Sequence, residues 1–141
     1  MRFWDSSAIA PLLTEEPSTE RIIELFRDDQ DLLVWWGTPV ECASAISRIE
    51  REGQLSAAEA AISFKRLDSL AKSWIQIEPV DEIRQIARRF LRVHPLRSAD
   101  ALQLAAAFVA SENRPNTLEL ITLDERLFSI AEKEGFLTVT V

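Results

Sequence analysis

The sequence has few of the side chains that many enzymes use: one cysteine, one histidine and three glycines among 141 residues. A lone cysteine, Cys42, cannot form an internal disulfide, which favours a reducing compartment. One histidine and one cysteine are too few for a zinc site built from those ligands. A Ser-His-Asp triad would have to use His94, and the GxSxG motif of many such serines is absent.

Several motifs and segment types are missing as well. The chain has no GxGxxG or GxxxxGK[ST] loop, which excludes the usual dinucleotide and P-loop sites. No apolar run approaches about 18 residues, and the first residues lack the basic region and apolar core of a signal peptide. We therefore predict a cytoplasmic protein without a membrane span. No Pro/Gly/Ser-rich linker or repeat divides the chain, so residues 1–141 should form one domain.

The charge balance bears on whether nucleic acid is a partner. A net charge of −7 and a pI near 4.8 argue against it, because phosphates require nearby cations. However, 13 of the 16 basic residues are arginines, and arginine is the better bidentate ligand for phosphate. Acidic residues that hold a divalent cation would also present less negative charge to a substrate. Nucleic acid therefore remains open as a partner.

Five apolar segments are predicted to be strands: residues 2–4, 32–36, 74–78, 118–122 and 137–141. Most are continuous apolar runs, as expected for parallel strands covered on both faces. A helical pattern follows Asp5, and further helices are predicted at residues 17–28, 39–52, 56–73, 80–93, 97–113 and 124–134. This alternation predicts an α/β fold, a central, mostly parallel five-stranded sheet flanked by helices.

Acidic residues lie at the starts of several predicted helices, where each has a local explanation. Asp5 directly follows the first strand, and it, Ser6 or Ser7 could simply cap the next helix. Glu41 stands three residues after Thr38, so these two residues could form a capping box. Neither acid by itself indicates more than a role in capping its helix.

The same holds for two acids later in the chain. Asp100 lies two residues after Ser98, a candidate cap, where a negative charge complements the helix dipole. Asp124 follows the fourth strand, and Thr122 with Glu125 could form another capping box.

Together, the acids suggest a shared site. Asp5, Glu41 and Asp124 each follow a strand, and in a parallel sheet these positions meet at the carboxyl edge, where ligands bind. Clustered carboxylates repel one another and take up protons unless a cation such as Mg²⁺ or Mn²⁺ compensates them. Two helices separate the third strand from the fourth, so topology alone does not place Asp100.

Four segments carry a resemblance to a known family: FWDSSAIAPLL, TPVECASAISRIEREGQLS, LRSADALQLAAAFVA and LITLDERLFSIAEKEGF. In this order and spacing they resemble PIN-domain ribonucleases, and more narrowly the VapC toxins of bacterial toxin–antitoxin pairs. The resemblance implies a PIN-like domain whose acidic, catalytic metal pocket is formed by Asp5, Glu41, Asp100 and Asp124. The hydroxyl pair that is often Thr-Ser in relatives is Ser6-Ser7 here.

The resemblance also implies an activity and partners. It implies hydrolysis of RNA phosphodiester bonds that depends on Mg²⁺, with Mn²⁺ able to substitute. Ser6 and Thr122 would support the ligands by hydrogen bonding, and no base is evident to make Ser6 a nucleophile. The implied partners are an RNA substrate, a cognate VapB-type antitoxin and a second copy of the chain.

Substrate binding could come from arginines that recur along one predicted helix and just beyond it: Arg84, Arg88, Arg92 and Arg97. Such a row could follow an RNA backbone. An ordinary solvated helix face explains the same spacing. Arg48 and Arg51 have the same two explanations.

Other classes fit the sequence less well. A receiver-type signalling domain needs an acidic pair at the end of the first strand, where Trp4-Asp5 supplies one acid, and a lysine after the last strand, where none follows. A haloacid-dehalogenase-type phosphatase needs an aspartate at the position of Ser7. A non-toxin PIN nuclease of RNA processing and a non-catalytic PIN scaffold binding RNA or protein stay open, although four retained acids argue against the scaffold.

Overall fold

A computed structural model describes all residues, 1–141, and contains one sheet of five parallel strands. The strands are β1 (Arg2–Trp4), β2 (Leu32–Trp35), β3 (Ile75–Ile77), β4 (Glu119–Ile121) and β5 (Leu137–Thr138). Every neighbouring pair is parallel, and the order across the sheet is β3-β2-β1-β4-β5. The predicted α/β class and five-stranded parallel sheet are confirmed, although the later strands are shorter than predicted.

Seven α-helices connect the strands: α1 (Ser6–Leu13), α2 (Thr19–Asp28), α3 (Thr38–Arg51), α4 (Ala57–Ala71), α5 (Asp81–Val93), α6 (Ser98–Ala110) and α7 (Glu125–Lys133). A short 3₁₀ turn, Pro115–Thr117, precedes β4. The capping box predicted for Ser56 and Glu59 is present at the start of α4. No helix is both long and apolar enough to cross a membrane.

The two faces of the sheet bury separate cores, which explains the continuous apolar strands. Phe3 packs with residues of α5, α6 and α7, whereas the next residue, Trp4, packs with residues of α1 to α4. Leu33 and Val34 of β2 divide between the two cores in the same way. Successive side chains of a strand point to opposite faces, so a strand covered on both faces must be apolar throughout.

The strand order determines where a crevice can form. From β1 the chain moves outward through β2 and β3, then crosses back to place β4 on the other side of β1. In open α/β sheets, ligands bind outside the carboxyl ends of the strands at such a reversal. Here that point lies beyond Trp4 and Ile121, the last residues of β1 and β4.

The turn from β2 into α3 leaves no room for a side chain at Gly37. A Cβ there would lie 2.7 Å from Nε1 of Trp35, whose side chain is largely buried. We expect Gly37→Ala to displace this ring and to lower the free energy of unfolding by about 1–3 kcal/mol, the usual cost of overpacking. Thermal melting would measure the loss. In a Trp35→Phe background the loss should shrink, and an equal loss there would contradict the steric explanation.

Candidate active site

Asp5 is anchored at the junction of β1, β4 and α1. Its backbone N–H donates to the Ile121 carbonyl at 3.0 Å, which continues the pairing of β1 with β4. Its Oδ2 accepts from Ser7 Oγ at 2.5 Å and from Thr122 Oγ1 at 2.9 Å. Asp5 also caps α1 through the Ser7 N–H, so the capping explanation is correct in geometry. That explanation does not account for the burial of Asp5, which is 3% exposed.

Burial has an electrostatic consequence for this carboxyl. Loss of solvent raises the pKa of Asp5, and the hydrogen bonds from Ser7 and Thr122 only partly oppose that rise. Thr122 therefore stands where a hydrogen-bonding support was predicted. Ser7, which the sequence suggested only as a possible helix cap and as part of a hydroxyl pair, makes the shorter bond.

Glu41 is not part of a capping box, so that alternative is wrong. Helix α3 begins at Thr38, its N-cap is Gly37, and no side chain caps it. Thr38 is buried and accepts instead from Gln103 Nε2 at 3.2 Å. The Glu41 carboxylate accepts from Ser6 Oγ at 3.1 Å and from Gln103 Nε2 at 2.8 Å. A carboxylate thus lies beside Ser6, for which the sequence alone made no neighbouring base evident.

The pKa of Glu41 is raised to about 7, chiefly because the carboxyl is half-buried. The negative charges of Asp5 and Asp100 raise it further, against the hydrogen bonds from Gln103 and Ser6. Two acids that are distant in sequence therefore lie close enough to act on a third.

Asp100 occupies the first turn of α6, whose N-cap is Arg97 and carries no side-chain cap. The predicted Ser98 cap is therefore wrong, since Ser98 is already helical. Burial raises the pKa of Asp100, and the charges of Asp124 and Asp5 raise it further. Asp100 belongs to the same electrostatic cluster, which topology alone did not predict.

Asp124 has a visible structural role, because it is the N-cap of α7. Its Oδ1 accepts from the Leu127 N–H at 2.8 Å. The capping box predicted for Thr122 and Glu125 is wrong, since Thr122 Oγ1 accepts from the Asp124 N–H at 3.1 Å and donates to Asp5. The cap uses one oxygen of Asp124 and leaves the second outside that bond.

A cavity of about 500 Å³ lies where these segments meet. Glu41, Asp100 and Asp124 line it, whereas Asp5 lies behind the lining residues Ser6 and Ser7. The three predicted strand-end acids are thus brought to the same edge of the sheet, with Asp5 in the least accessible position.

The predicted arginines divide into two groups. Arg97 lines the acidic cavity, and so does Arg48 from the far end of α3. Arg84 lies instead beside Trp36 in a separate groove and is paired with an exposed aspartate of its own helix. The remaining members of the α5 row, Arg88 and Arg92, are exposed and do not line either pocket.

Gln103, which donates to Glu41, was not predicted from the sequence. One signal was available, because Gln103 follows Asp100 by three residues and positions three apart share a helix face. Similar spacing places Arg48 seven residues, about two turns, after Glu41.

The donor chemistry of the cavity suits a hard cation. The ligand candidates are carboxylate and hydroxyl oxygens, which Mg²⁺ and Mn²⁺ prefer. As they stand, no three acidic, histidine or cysteine side chains are placed so that they could hold one ion together. Magnesium needs no such cage, because it usually keeps several waters and takes one or two protein carboxylates. The residues therefore fit a hydrated ion better than a fully enclosed one.

The fold and cavity define the class as an α/β protein with an acidic pocket at the carboxyl edge of a parallel sheet. The PIN-domain family model matches residues 2–133, so the chain belongs to the PIN-domain family. PIN domains are generally metal-dependent nucleases.

Solved structures with the same fold share little sequence with this chain. FitAcB from Neisseria gonorrhoeae superposes with a TM-score of 0.68 at 16% identity, covering 99% of this chain and 97% of its own. PAE2754 from Pyrobaculum aerophilum gives 0.63 at 21%, covering 98% and 88%. FitAB bound to the IR36 DNA fragment gives 0.67 at 16%, covering 99% and 94%. No curated protein sequence matches the chain.

Proposed function

We propose that this protein is a metal-dependent endoribonuclease that hydrolyses RNA phosphodiester bonds. One observation carries the proposal: acids from four separate segments, Asp5, Glu41, Asp100 and Asp124, gather around one cavity. In addition to burial, the charges of Asp5 and Asp100 raise the pKa of Glu41, and those of Asp124 and Asp5 raise the pKa of Asp100. Such perturbed, clustered groups in a cleft are typical of functional sites. Membership of the PIN-domain family supports nuclease chemistry for this cluster.

The acids would hold the cofactor, Mg²⁺ or Mn²⁺. Asp5 and Asp100 are the proposed direct ligands, and Glu41 and Asp124 would bind directly or through water. When bound, the ion would lower the pKa of a water molecule and stabilise negative charge on the phosphoryl group. The protein's own contribution is to hold the carboxylates in place, through Ser7 and Thr122 on Asp5 and Ser6 on Glu41.

Arg48 and Arg97 are the proposed phosphate ligands, because they are basic side chains lining the acidic cavity itself. Their guanidinium groups can bind phosphate oxygens in a bidentate manner and offset the charge of the carboxylates. Arg84, Arg88 and Arg92 would contact only RNA that extends beyond the cavity.

We further propose that the protein is the toxin of a VapBC-type pair, acting in the cytoplasm as a homodimer. The four sequence segments that resemble VapC toxins support this, and their four acids are retained. A VapB-type antitoxin would then be the cognate partner. FitAB, one of the structural neighbours, has been solved bound to a DNA fragment.

The decisive experiment is RNA cleavage by the purified protein under controlled metal content. We expect cleavage with Mg²⁺ or Mn²⁺, none after treatment with EDTA, and recovery when Mn²⁺ is added in excess of the chelator. An Arg48→Ala, Arg97→Ala variant should raise KM for RNA, whereas Mn²⁺ should bind as tightly as in wild type or more tightly, because positive charge has been removed beside the carboxylates. Undiminished cleavage after chelation would refute the metal mechanism, and no cleavage with any divalent ion would favour a non-catalytic scaffold.

A further inference from the structure

Gln103 is a buried amide whose hydrogen bonds are unevenly distributed. The side chain is fully buried in α6. Its Nε2 donates to Glu41 Oε2 at 2.8 Å and to Thr38 Oγ1 at 3.2 Å. Its Oε1 is buried without any hydrogen-bond partner. Buried polar atoms are nearly always paired, so an unpaired one calls for a physical reason.

The reason lies in the two acceptors that the Nε2 end of the amide contacts, Glu41 and Thr38. If the amide were turned over, Oε1 would face Thr38, whose hydroxyl could donate to it. The same oxygen would then face the Glu41 carboxylate, and two acceptors would oppose each other there. A hydrogen bond to a charged acceptor is stronger than one between neutral groups. The Glu41 carboxylate therefore fixes the amide in an orientation that leaves Oε1 unpaired.

The bond also constrains Glu41. One of its oxygens accepts from Gln103 and the other from Ser6, so the carboxylate cannot rotate without losing a hydrogen bond. The two donors come from α6 and α1, on separate segments of the chain. Glu41 is thereby held at the wall of the cavity that Asp100 and Asp124 also line.

We propose that Gln103 is a positioning residue that aims the Glu41 carboxylate at the acidic cavity for cation binding. This inference rests on the proposed function, since it concerns how the same cavity takes up its metal ion. One helix, α6, then supplies both an acid, Asp100, and the amide that orients a second acid on α3. Partners that hydrogen-bond to metal-ligating carboxylates commonly change metal affinity by about 10- to 100-fold.

The test is Gln103→Met, which keeps the length of the side chain and removes the donor. We expect the Kd for Mn²⁺, measured by titration without RNA, to rise by about 10- to 100-fold. The matched control is Thr38→Val, which removes the amide's other acceptor and should leave the Kd nearly unchanged. Melting curves without metal show whether each variant is folded, and Gln103→Leu replaces Gln103→Met if the latter is not.

A double-mutant cycle separates positioning from general support of the fold. If Gln103 acts through the Glu41 carboxylate, Gln103→Met should cause no further loss of Mn²⁺ affinity in a Glu41→Gln background. Wild-type Mn²⁺ affinity in Gln103→Met, or an equal loss in both backgrounds, would overturn the inference. Wild-type protein that binds no Mn²⁺ would refute the proposed function itself, and the inference with it.

Discussion

Replacing Asp100 with asparagine should abolish most RNA cleavage without unfolding the protein. The substitution keeps the shape of the side chain and removes a charge from the proposed metal pocket. Mutating a residue that only hydrogen-bonds to a metal ligand typically lowers metal affinity or activity by about 10- to 100-fold. Loss of a ligand itself should therefore lower kcat/KM by more than about 100-fold. Without metal, stability should be unchanged or higher, because Asp100 is repelled by Asp124 and Asp5.

The local explanation of Asp100 makes the opposite forecast. As a helix-dipole acid it would contribute about 0.3–1 kcal/mol, so asparagine would lower stability slightly and leave cleavage intact. A matched control is Glu125→Gln, an exposed acid in the first turn of α7 that does not line the cavity. Cleavage and thermal melting, each with and without Mg²⁺, would distinguish the two roles. Wild-type cleavage by Asp100→Asn would show that this residue only stabilises its helix and is not a metal ligand.

The fold was predictable because its signals are local. Strands such as β2 must be apolar at every position when both faces are covered, and that pattern can be recognised within four residues. The strand order was not predictable in this way. Whether β4 pairs with β1 or with β3 depends on how α5 and α6 cross the sheet. No short stretch of sequence predicts the direction of that crossing.

In the candidate site, too, features with local sequence signals were predictable, and those that depend on contacts between distant residues were not. Asp5, Glu41 and Asp124 were expected at one edge because each comes soon after the carboxyl end of a strand, and the structure brings them there. The predicted capping boxes are absent because Thr38 and Thr122 form hydrogen bonds with partners that are remote in sequence. Thr38 accepts from Gln103, 65 positions away, and Thr122 donates to Asp5, 117 positions away. Local motifs cannot anticipate competition from such distant partners.

The second large effect concerns pH and follows from Glu41. Its ordinary pKa of 4.5 rises to about 7 in the folded protein, mainly through burial. Between these values the folded state binds more protons than the unfolded state, so stability should fall as the pH rises from about 4.5 to about 7. The raised pKa values of Asp5 and Asp100 act in the same direction. Melting without metal should therefore show lower stability at pH 8 than near pH 5, whereas bound Mg²⁺ should remove the difference.

Cation binding should show the reverse dependence, because a proton must leave Glu41 before the carboxylate can help to bind an ion. Well below pH 7, the apparent Mn²⁺ affinity should fall by about tenfold for each pH unit. Glu41→Gln is the discriminating variant, since the neutral amide can keep both hydrogen bonds by exchanging donor and acceptor roles with Ser6. It should bind Mn²⁺ more weakly than wild type, with a shallower pH dependence, and lose less stability between pH 5 and 8. Identical pH profiles for the two proteins would mean that Glu41 does not titrate in this range and is not coupled to cation binding.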